Sequence, residues 1–236
     1  MKRAARTILG ALLAISAGTL HAQTAPLPGS KTIQTQPLIR FHFERAGLPV
    51  PVFTLQIRED GSGTYQADVV ESVLSENSTR SIPPQHVERN LNLTPATVSK
   101  IFKAARELRY FSDTCASNAK NIADTGTKTL TYLGPKGKGS CVYNYSQNKN
   151  VAMLTDMFQG IAYTLDEGRR LDFLHRFDRL GLDAEMSAFA EQVQEGGALE
   201  LGTIAPTLTA LVADMELIQR VRVQAEKLLE QAKDHD

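Results

Sequence analysis

Carboxyl groups are the side chains of this sequence with the widest chemical use, because two that converge are enough for acid–base hydrolysis. The candidates for such a pair are Asp113, Asp124, Asp166 and Glu167. The chain has no tryptophan and only 6% aromatic residues, so it offers few stacking surfaces for a sugar substrate. Most acidic residues of a protein are simply solvated on its surface. We therefore expect a non-enzymatic protein and keep a carboxylate-dependent hydrolase as the alternative.

The two cysteines of the chain, Cys115 and Cys141, are the second feature with possible chemistry. Their spacing differs from the CxxC spacing of redox-active pairs. In an oxidising compartment, two cysteines most simply form one structural disulfide. Closing a loop of that length stabilises the folded chain by roughly 3–4 kcal/mol in the chain-entropy model. We predict a structural disulfide between these two residues.

Other catalytic and metal-binding patterns are missing from the sequence. The histidines are scattered, with neither HxH nor HExxH spacing, so we expect no metal site. His42 and His175 are predicted to be solvated surface residues. A GxSxG motif is absent, and residues 137–140 match a phosphate loop in composition only. We therefore expect no cofactor.

The first residues have the pattern of a secretory signal peptide, predicted over residues 1–22. A basic segment precedes an apolar stretch from Ile8 to Leu20. A small residue ends the cleavage motif, so we predict cleavage between Ala22 and Gln23. The apolar stretch is shorter than the roughly 20 residues that span a bilayer. We expect an exported bacterial protein, periplasmic or extracellular.

The net charge and the hydropathy of the chain restrict the classes of partner that the protein is expected to bind. The whole chain has 26 basic and 26 acidic residues among 236. Removing 22 residues takes away three basic side chains and leaves 214 residues with 23 basic and 26 acidic ones, a net charge of −3. A chain without a basic surplus is poorly suited to the phosphate backbone, so we expect no nucleic-acid partner. No later segment is apolar enough for a membrane span in the mature chain.

Three regions follow the predicted signal peptide. Residues 23–37 are polar and proline-containing and are predicted to form a flexible linker. Residues 38–150 show mostly period-two alternation and form a predicted α+β domain. Residues 151–236 have helical periodicity and form a predicted helical C-terminal region, packed on or extending that domain.

The predicted α+β domain contains an antiparallel sheet of about four to five strands with a helix packed on one face. Alternating apolar residues predict strands at Ile39–Phe43, Phe53–Ile57 and Tyr65–Val69. A glycine-rich turn joins the second and third of these strands, which predicts a hairpin.

The remaining elements of this domain are a helix and a second hairpin. Thr94 and Pro95 predict a helix start, as N-cap and first helical residue. Residues 128–133 and 141–145 predict the two strands of the second hairpin. Residues 72–92 are mixed and polar and are predicted to be a long connection.

The C-terminal region is predicted to contain several helices. Gly168 is predicted to separate two of them, and Asp183 to cap a shorter one. The most regular apolar seam runs from Ile204 to Ala232, and we expect it to pack on the rest of the chain. Its spacing slips part-way, which breaks a strict heptad repeat. A homodimer or a partner coiled coil through this C-terminal helix is the alternative.

These features favour an exported, non-enzymatic module that acts by binding or assembly, with an unknown protein or a small ligand as its partner. A periplasmic hydrolase using paired carboxylates is the alternative function. A carrier that holds a small ligand between the sheet and the helices is a third hypothesis.

Overall fold

The structure is a computed structural model in which residues 36–70 and 83–234 are described. The predicted signal peptide, its cleavage site at Ala22 and Gln23, and residues 23–35 of the predicted linker lie outside the described residues. The described chain is α+β, which confirms the predicted fold class.

A single antiparallel sheet contains the strands of the described chain, in the order β4-β3-β2-β1-β5-β6. The strands are β1 Leu38–Glu44, β2 Val52–Arg58, β3 Ser62–Val69, β4 Gln85–Asn92, β5 Thr127–Gly134 and β6 Gly137–Tyr143. The helices of the same residues are α1 Pro95–Glu107, α2 Lys149–Phe177, α3 Leu182–Gln194, α4 Ala205–Ala213 and α5 Gln219–Asp234.

One face of the sheet is apolar and is covered by α1 and the first half of α2. The alternation in β1 places Ile39, Phe41 and Phe43 on this face, as predicted from their period of two. The ring of Phe41 stacks on that of Phe158 in α2, with centroids 5.0 Å apart. Contacts between buried aromatic and aliphatic side chains therefore hold the helices against the sheet.

Residues 72–82 of the predicted connection over residues 72–92 lie outside the described residues, and the prediction is wrong for residues 85–92. Residues Gln85–Asn92 form β4, which pairs with β3 in a register that sets Leu91 opposite Gly63. The sheet therefore has six strands within the described residues rather than four to five. As an edge strand, β4 buries only Leu91, and apart from the half-buried Val87 its other residues are charged or polar, which hides the period-two pattern.

The start of α1 agrees with the sequence. Thr94 is the N-cap, its hydroxyl accepts the backbone N–H of Thr97 at 3.4 Å, and Pro95 begins the helix. The carboxylate of Glu200, far along the chain, accepts hydrogen bonds from both the backbone N–H and the hydroxyl of Thr94, each at 2.8 Å. The helix start is thus tied to the C-terminal region.

The predicted helix break at Gly168 is wrong, because α2 continues through it from Lys149 to Phe177. A Cβ atom at Gly168 would overlap Cγ2 of Ile204. The glycine therefore permits close packing instead of ending the helix.

The second half of α2 belongs to a separate hydrophobic cluster with α3, α4 and α5. The predicted seam from Ile204 to Ala232 forms two helices, α4 and α5, because the chain turns between Ala213 and Gln219. The buried residues of α5, from Val221 to Ala232, pack within this cluster. The homodimer through the C-terminal helix stays a prediction.

The N-cap prediction for α3 is wrong by two residues. Gly181 is the N-cap, and Asp183 lies in the first turn, where it pairs with Arg220 of α5. The helix dipole stabilises an acidic residue in the first turn of a helix. Because aspartate is also common as an N-cap, the sequence does not distinguish the two positions.

Cys115 and Cys141 lie at disulfide distance and are bonded, with Cα atoms 5.7 Å apart. The bond joins the segment after α1 to strand β6. Within the described residues, no helix combines the length and the apolarity that crossing a membrane requires.

We expect the change of both cysteines to serine to lower the free energy of unfolding by roughly 3–4 kcal/mol, because the bond closes a loop of 26 residues. Urea denaturation of the oxidised protein and of the double variant measures the difference. Two reactive thiols in the folded, unreduced protein, or equal stabilities of the two forms, would contradict the disulfide.

We expect Gly168→Ala to lower the free energy of unfolding by about 1–2 kcal/mol, because overpacking against Ile204 outweighs alanine's better helix propensity. Gly202→Ala is the matched control, since a Cβ there meets no atom within 4 Å. Thermal and urea denaturation compare the two variants. Equal stabilities would mean that the Gly168–Ile204 contact is not tightly packed.

Candidate functional site

A cavity of about 720 Å³ opens between the β1–β2 connection and helices α2 and α3. We call it the acidic cavity. Its sheet side is formed by Phe43, Leu48, Pro49, Val50, Phe53 and Tyr65, and its helix side by residues of α2 from Asp156 to Arg170 and by the end of α3 from Gln192 to Gly197. Cavities of this volume are typical of small-molecule sites.

Among the other cavities formed by the described residues, the two larger ones are smaller than the acidic cavity and have no aromatic lining residue. One of about 530 Å³ lies between α3 and α5, and the other, of about 540 Å³, lies beside Thr94 and Glu200. The acidic cavity differs from both because it combines an aromatic side with charged groups, the composition expected of a ligand site.

Helix α2 positions most of the polar groups of the acidic cavity. Its N-cap is Asn148, whose side chain accepts the backbone N–H of Asn150 at 2.9 Å. Asp156, Tyr163 and Arg170 follow at intervals of seven residues and therefore lie on one helix face. The opposite stripe of the same helix packs on the sheet, so the lining residues are held on a rigid element.

The sheet side of the cavity is built from aromatic rings on three neighbouring strands. Phe43 of β1 faces Phe53 of β2 in the strand register, and their ring centroids are 5.1 Å apart. The ring of Tyr65 in β3 is 6.1 Å from that of Phe53. These rings are largely buried, and the half-buried Leu48 and Val50 cover their edges. The result is an apolar surface opposite the carboxylates of α2.

Acidic groups outnumber basic ones around the cavity. Arg170 is the basic lining residue, and it already pairs with Glu185 at 2.8 Å. Asp166 pairs with Arg169 at 3.0 Å. Asp156 has no ion-pair or hydrogen-bond partner within the described residues.

Glu167 is the least solvated carboxyl group of the cavity, with 4% of the residue exposed. Its Oε1 atom is buried without a hydrogen-bond donor among the described residues. Burial, together with the nearby carboxyl group of Glu185, raises the pKa of Glu167 to about 8. The raised pKa favours the protonated, neutral form of Glu167 at neutral pH.

Two tyrosines of the cavity remain neutral over the same pH range. Burial, and then the neighbouring carboxyl groups of Glu167 and Glu185, raise the pKa of Tyr163 to about 12. Burial, and then the charge of Asp166, raise the pKa of Tyr65 above its usual value. Both hydroxyl groups are therefore hydrogen-bond donors at the edge of the cavity.

The structure separates the four carboxylates selected from the sequence. Asp166 and Glu167 line the acidic cavity. Asp113 lies elsewhere and pairs with Arg109, whose Nε donates to Oδ2 at 2.7 Å. Asp124 accepts the backbone N–H of Gly126 at 2.9 Å in a local turn. These two residues therefore have structural partners instead of a place in the cavity.

Sequence reasoning missed the other acidic groups of the site, Asp156, Glu185 and Glu195. The seven-residue intervals from Asp156 to Arg170 are a usable signal, because they place polar residues on one face of a helix whose buried residues are mostly apolar. No comparable signal marks Glu185 and Glu195, since they reach Arg170 and the cavity only through the packing of α3 on α2.

The two histidines predicted to be solvated surface residues are only partly exposed, and both are hydrogen-bonded. In His42, Nδ1 lies 2.8 Å from the hydroxyl of Thr54 and Nε2 lies 2.7 Å from Glu44. In His175, Nε2 lies 2.8 Å from a carboxylate oxygen of Asp214. Within residues 36–70 and 83–234, no three His, Cys, Asp or Glu residues are grouped to hold a metal ion.

The comparisons with known proteins assign no family. No protein-family model matches the chain, and no curated protein matches its sequence. The function must therefore be argued from the site.

We expect Glu167→Gln to stabilise the protein at pH 8 by on the order of 1–3 kcal/mol and to have little effect near pH 4.5. The pKa of Glu167 is higher in the folded chain than in the unfolded chain, so folding retains a proton that the unfolded chain loses between about pH 4.5 and 8. The contribution of Glu167 to the free energy of unfolding therefore decreases as the pH rises through that interval. Glutamine does not titrate, so the variant lacks this decrease.

Urea denaturation at several pH values measures this difference between wild type and variant. Glu191→Gln is the control, because Glu191 is an exposed residue of α3 and its loss should leave the pH dependence unchanged. A stabilisation by Glu167→Gln that is equal at pH 4.5 and pH 8 would contradict the assignment.

Proposed function

We propose that this protein is an exported, non-enzymatic binding module that holds a small ligand in the acidic cavity. The observation that carries the proposal is the cavity itself, about 720 Å³, with an apolar aromatic side and a few polar groups held on α2. A largely preformed, mostly apolar cavity with a few fixed polar groups is what small-molecule binding requires.

Binding is favoured over catalysis by the partners of the polar groups. Two of the acidic candidates, Asp113 and Asp124, are engaged in local structure. In the cavity, Asp166 and Arg170 are each committed to an ion pair. The described residues supply no serine or cysteine nucleophile at the cavity, because its lining contains neither residue type. Fixed polar groups of this kind orient a ligand and need not react with it.

Export is the second part of the proposal. It is supported by the leader pattern of residues 1–22 and by the Cys115–Cys141 bond, since structural disulfides persist in oxidising compartments. The acidic net charge expected of the processed chain gives it no general affinity for nucleic acid.

Native mass spectrometry tests ligand binding directly, on protein purified from the cells that produce it so that a bound molecule is retained. We expect a retained small molecule that Gln159→Trp displaces, because the indole projects into the cavity from α2. Met153→Trp is the control, since Met153 is exposed on the same helix and lines none of these cavities.

Circular dichroism establishes that both variants fold. A ligand retained equally by Gln159→Trp and wild type would place the site elsewhere. No retained ligand, together with no thermal stabilisation by any member of a chemically diverse library, would reject the binding module.

The carboxylate-dependent hydrolase remains the second candidate, because burial and the neighbouring Glu185 raise the pKa of Glu167 to about 8. A carboxyl group with a raised pKa is suited to act as a general acid. Substrate profiling of the purified protein tests this function. Activity that Glu167→Gln abolishes and Asp113→Ala preserves would favour the hydrolase, whereas activity that survives both changes would reject this version of it.

A further inference from the structure

We infer that the acidic cavity selects an organic cation, a small molecule with an apolar body and an ammonium or guanidinium head. This inference rests on the proposed function, because it names the chemical class of the ligand held at that site. It depends on the charges that the protein leaves uncompensated, on the end of α3, and on the apolar side of the cavity.

The charge of the cavity lining is the first feature that favours a cation. The charge of Arg170 is compensated by Glu185, and that of Asp166 by Arg169. Glu167 is neutral at neutral pH and adds no charge. Two carboxylates remain without an ion pair among the described residues: Asp156 on α2 and Glu195 at the end of α3. The lining residues of the cavity therefore carry a net negative charge.

The C-terminal end of α3 lies at the cavity. Glu195 is its C-cap, and Gly196 follows with a φ of +76°. The backbone N–H of Gly196 donates to Val193 and that of Gly197 donates to Gln192, which is the arrangement of a Schellman cap.

This cap directs the negative end of the helix dipole toward the cavity. Glu195, Gly196 and Gly197 all line the cavity, and the last turn of α3 contains no basic residue. A helix C-terminus favours a nearby cation, and here no cation of the helix itself satisfies it. The dipole and the two carboxylates therefore act in the same direction.

The apolar side of the cavity fits the body of an organic ligand and contains no carboxylate, imidazole or thiol that could bind a metal ion. Aromatic faces attract ammonium and guanidinium groups. The protein already uses this interaction nearby, where Nζ of Lys128 lies 5.7 Å from the centre of the Phe43 ring. The described residues contain no group of three metal-ligating side chains, so an inorganic cation lacks a coordination site.

Three probes of similar shape and different charge test the inference by isothermal titration calorimetry on the purified full-length protein at pH 7. Phenethylamine is the cation, phenethyl alcohol the neutral analogue and phenylpropionate the anion. We expect phenethylamine to bind about tenfold more tightly than the alcohol, with the anion weakest. Calcium chloride serves as the inorganic cation, and we expect no binding.

Variants of the two unpaired carboxylates test whether these residues cause the preference for a cationic ligand. We expect Asp156→Asn and Glu195→Gln each to weaken phenethylamine binding by about threefold and to leave phenethyl alcohol unaffected. Glu191→Gln is the control that changes the net charge by the same amount on an exposed position of α3. Higher salt concentration should weaken the binding of the amine more than that of the alcohol.

The inference is overturned if the alcohol or the anion binds as tightly as the amine, if the double variant Asp156→Asn/Glu195→Gln leaves the preference unchanged, or if no probe binds. These outcomes differ from a failure of the proposed function. A neutral or anionic ligand retained in native mass spectrometry would overturn the cation preference and keep the binding module. The absence of any retained or stabilising ligand would reject both.

Discussion

The packing of α2 against two hydrophobic clusters is the constraint on which the rest of this structure depends. Its first half lies on the apolar face of the sheet, where Phe158 stacks on Phe41. Its second half joins α3, α4 and α5, and Gly168 lets Ile204 approach the helix closely. One helix therefore joins the sheet to the C-terminal helices, and a continuous backbone through Gly168 is what makes this possible.

The acidic cavity is a consequence of that arrangement. The face of α2 that carries Asp156, Tyr163 and Arg170 is left beside the β1–β2 connection, where neither cluster covers it completely. The same packing buries Glu167 near Glu185 and thereby holds a proton at neutral pH. A buried carboxyl group with a raised pKa lowers the stability of the folded protein as the pH rises. Carboxyl groups with strongly shifted pKa values are more typical of functional sites than of purely structural positions.

Much of the fold could be predicted because local chemistry agrees with tertiary structure. The alternation of Ile39, Phe41 and Phe43, and the cap formed by Thr94 and Pro95, each depend on a few neighbouring residues. Strand β4 could not be recognised, because an edge strand has only one paired neighbour and needs little apolar alternation. The role of Gly168 could not be predicted for a related reason. In sequence, a glycine that ends a helix cannot be told from one that permits close packing by a distant residue.

Residue types and periodicity alone therefore determined the α+β class, the paired cysteines and the helical character of the C-terminal region, because hydrophobic period and capping act over short stretches of chain. Only the tertiary structure decided which carboxylates meet. Asp166 and Glu167 share a cavity with Asp156 and Glu195, whereas Asp113 and Asp124 bond to their own neighbours. A site of this kind is assembled by contacts between distant segments, and their geometry depends on packing that no local pattern records.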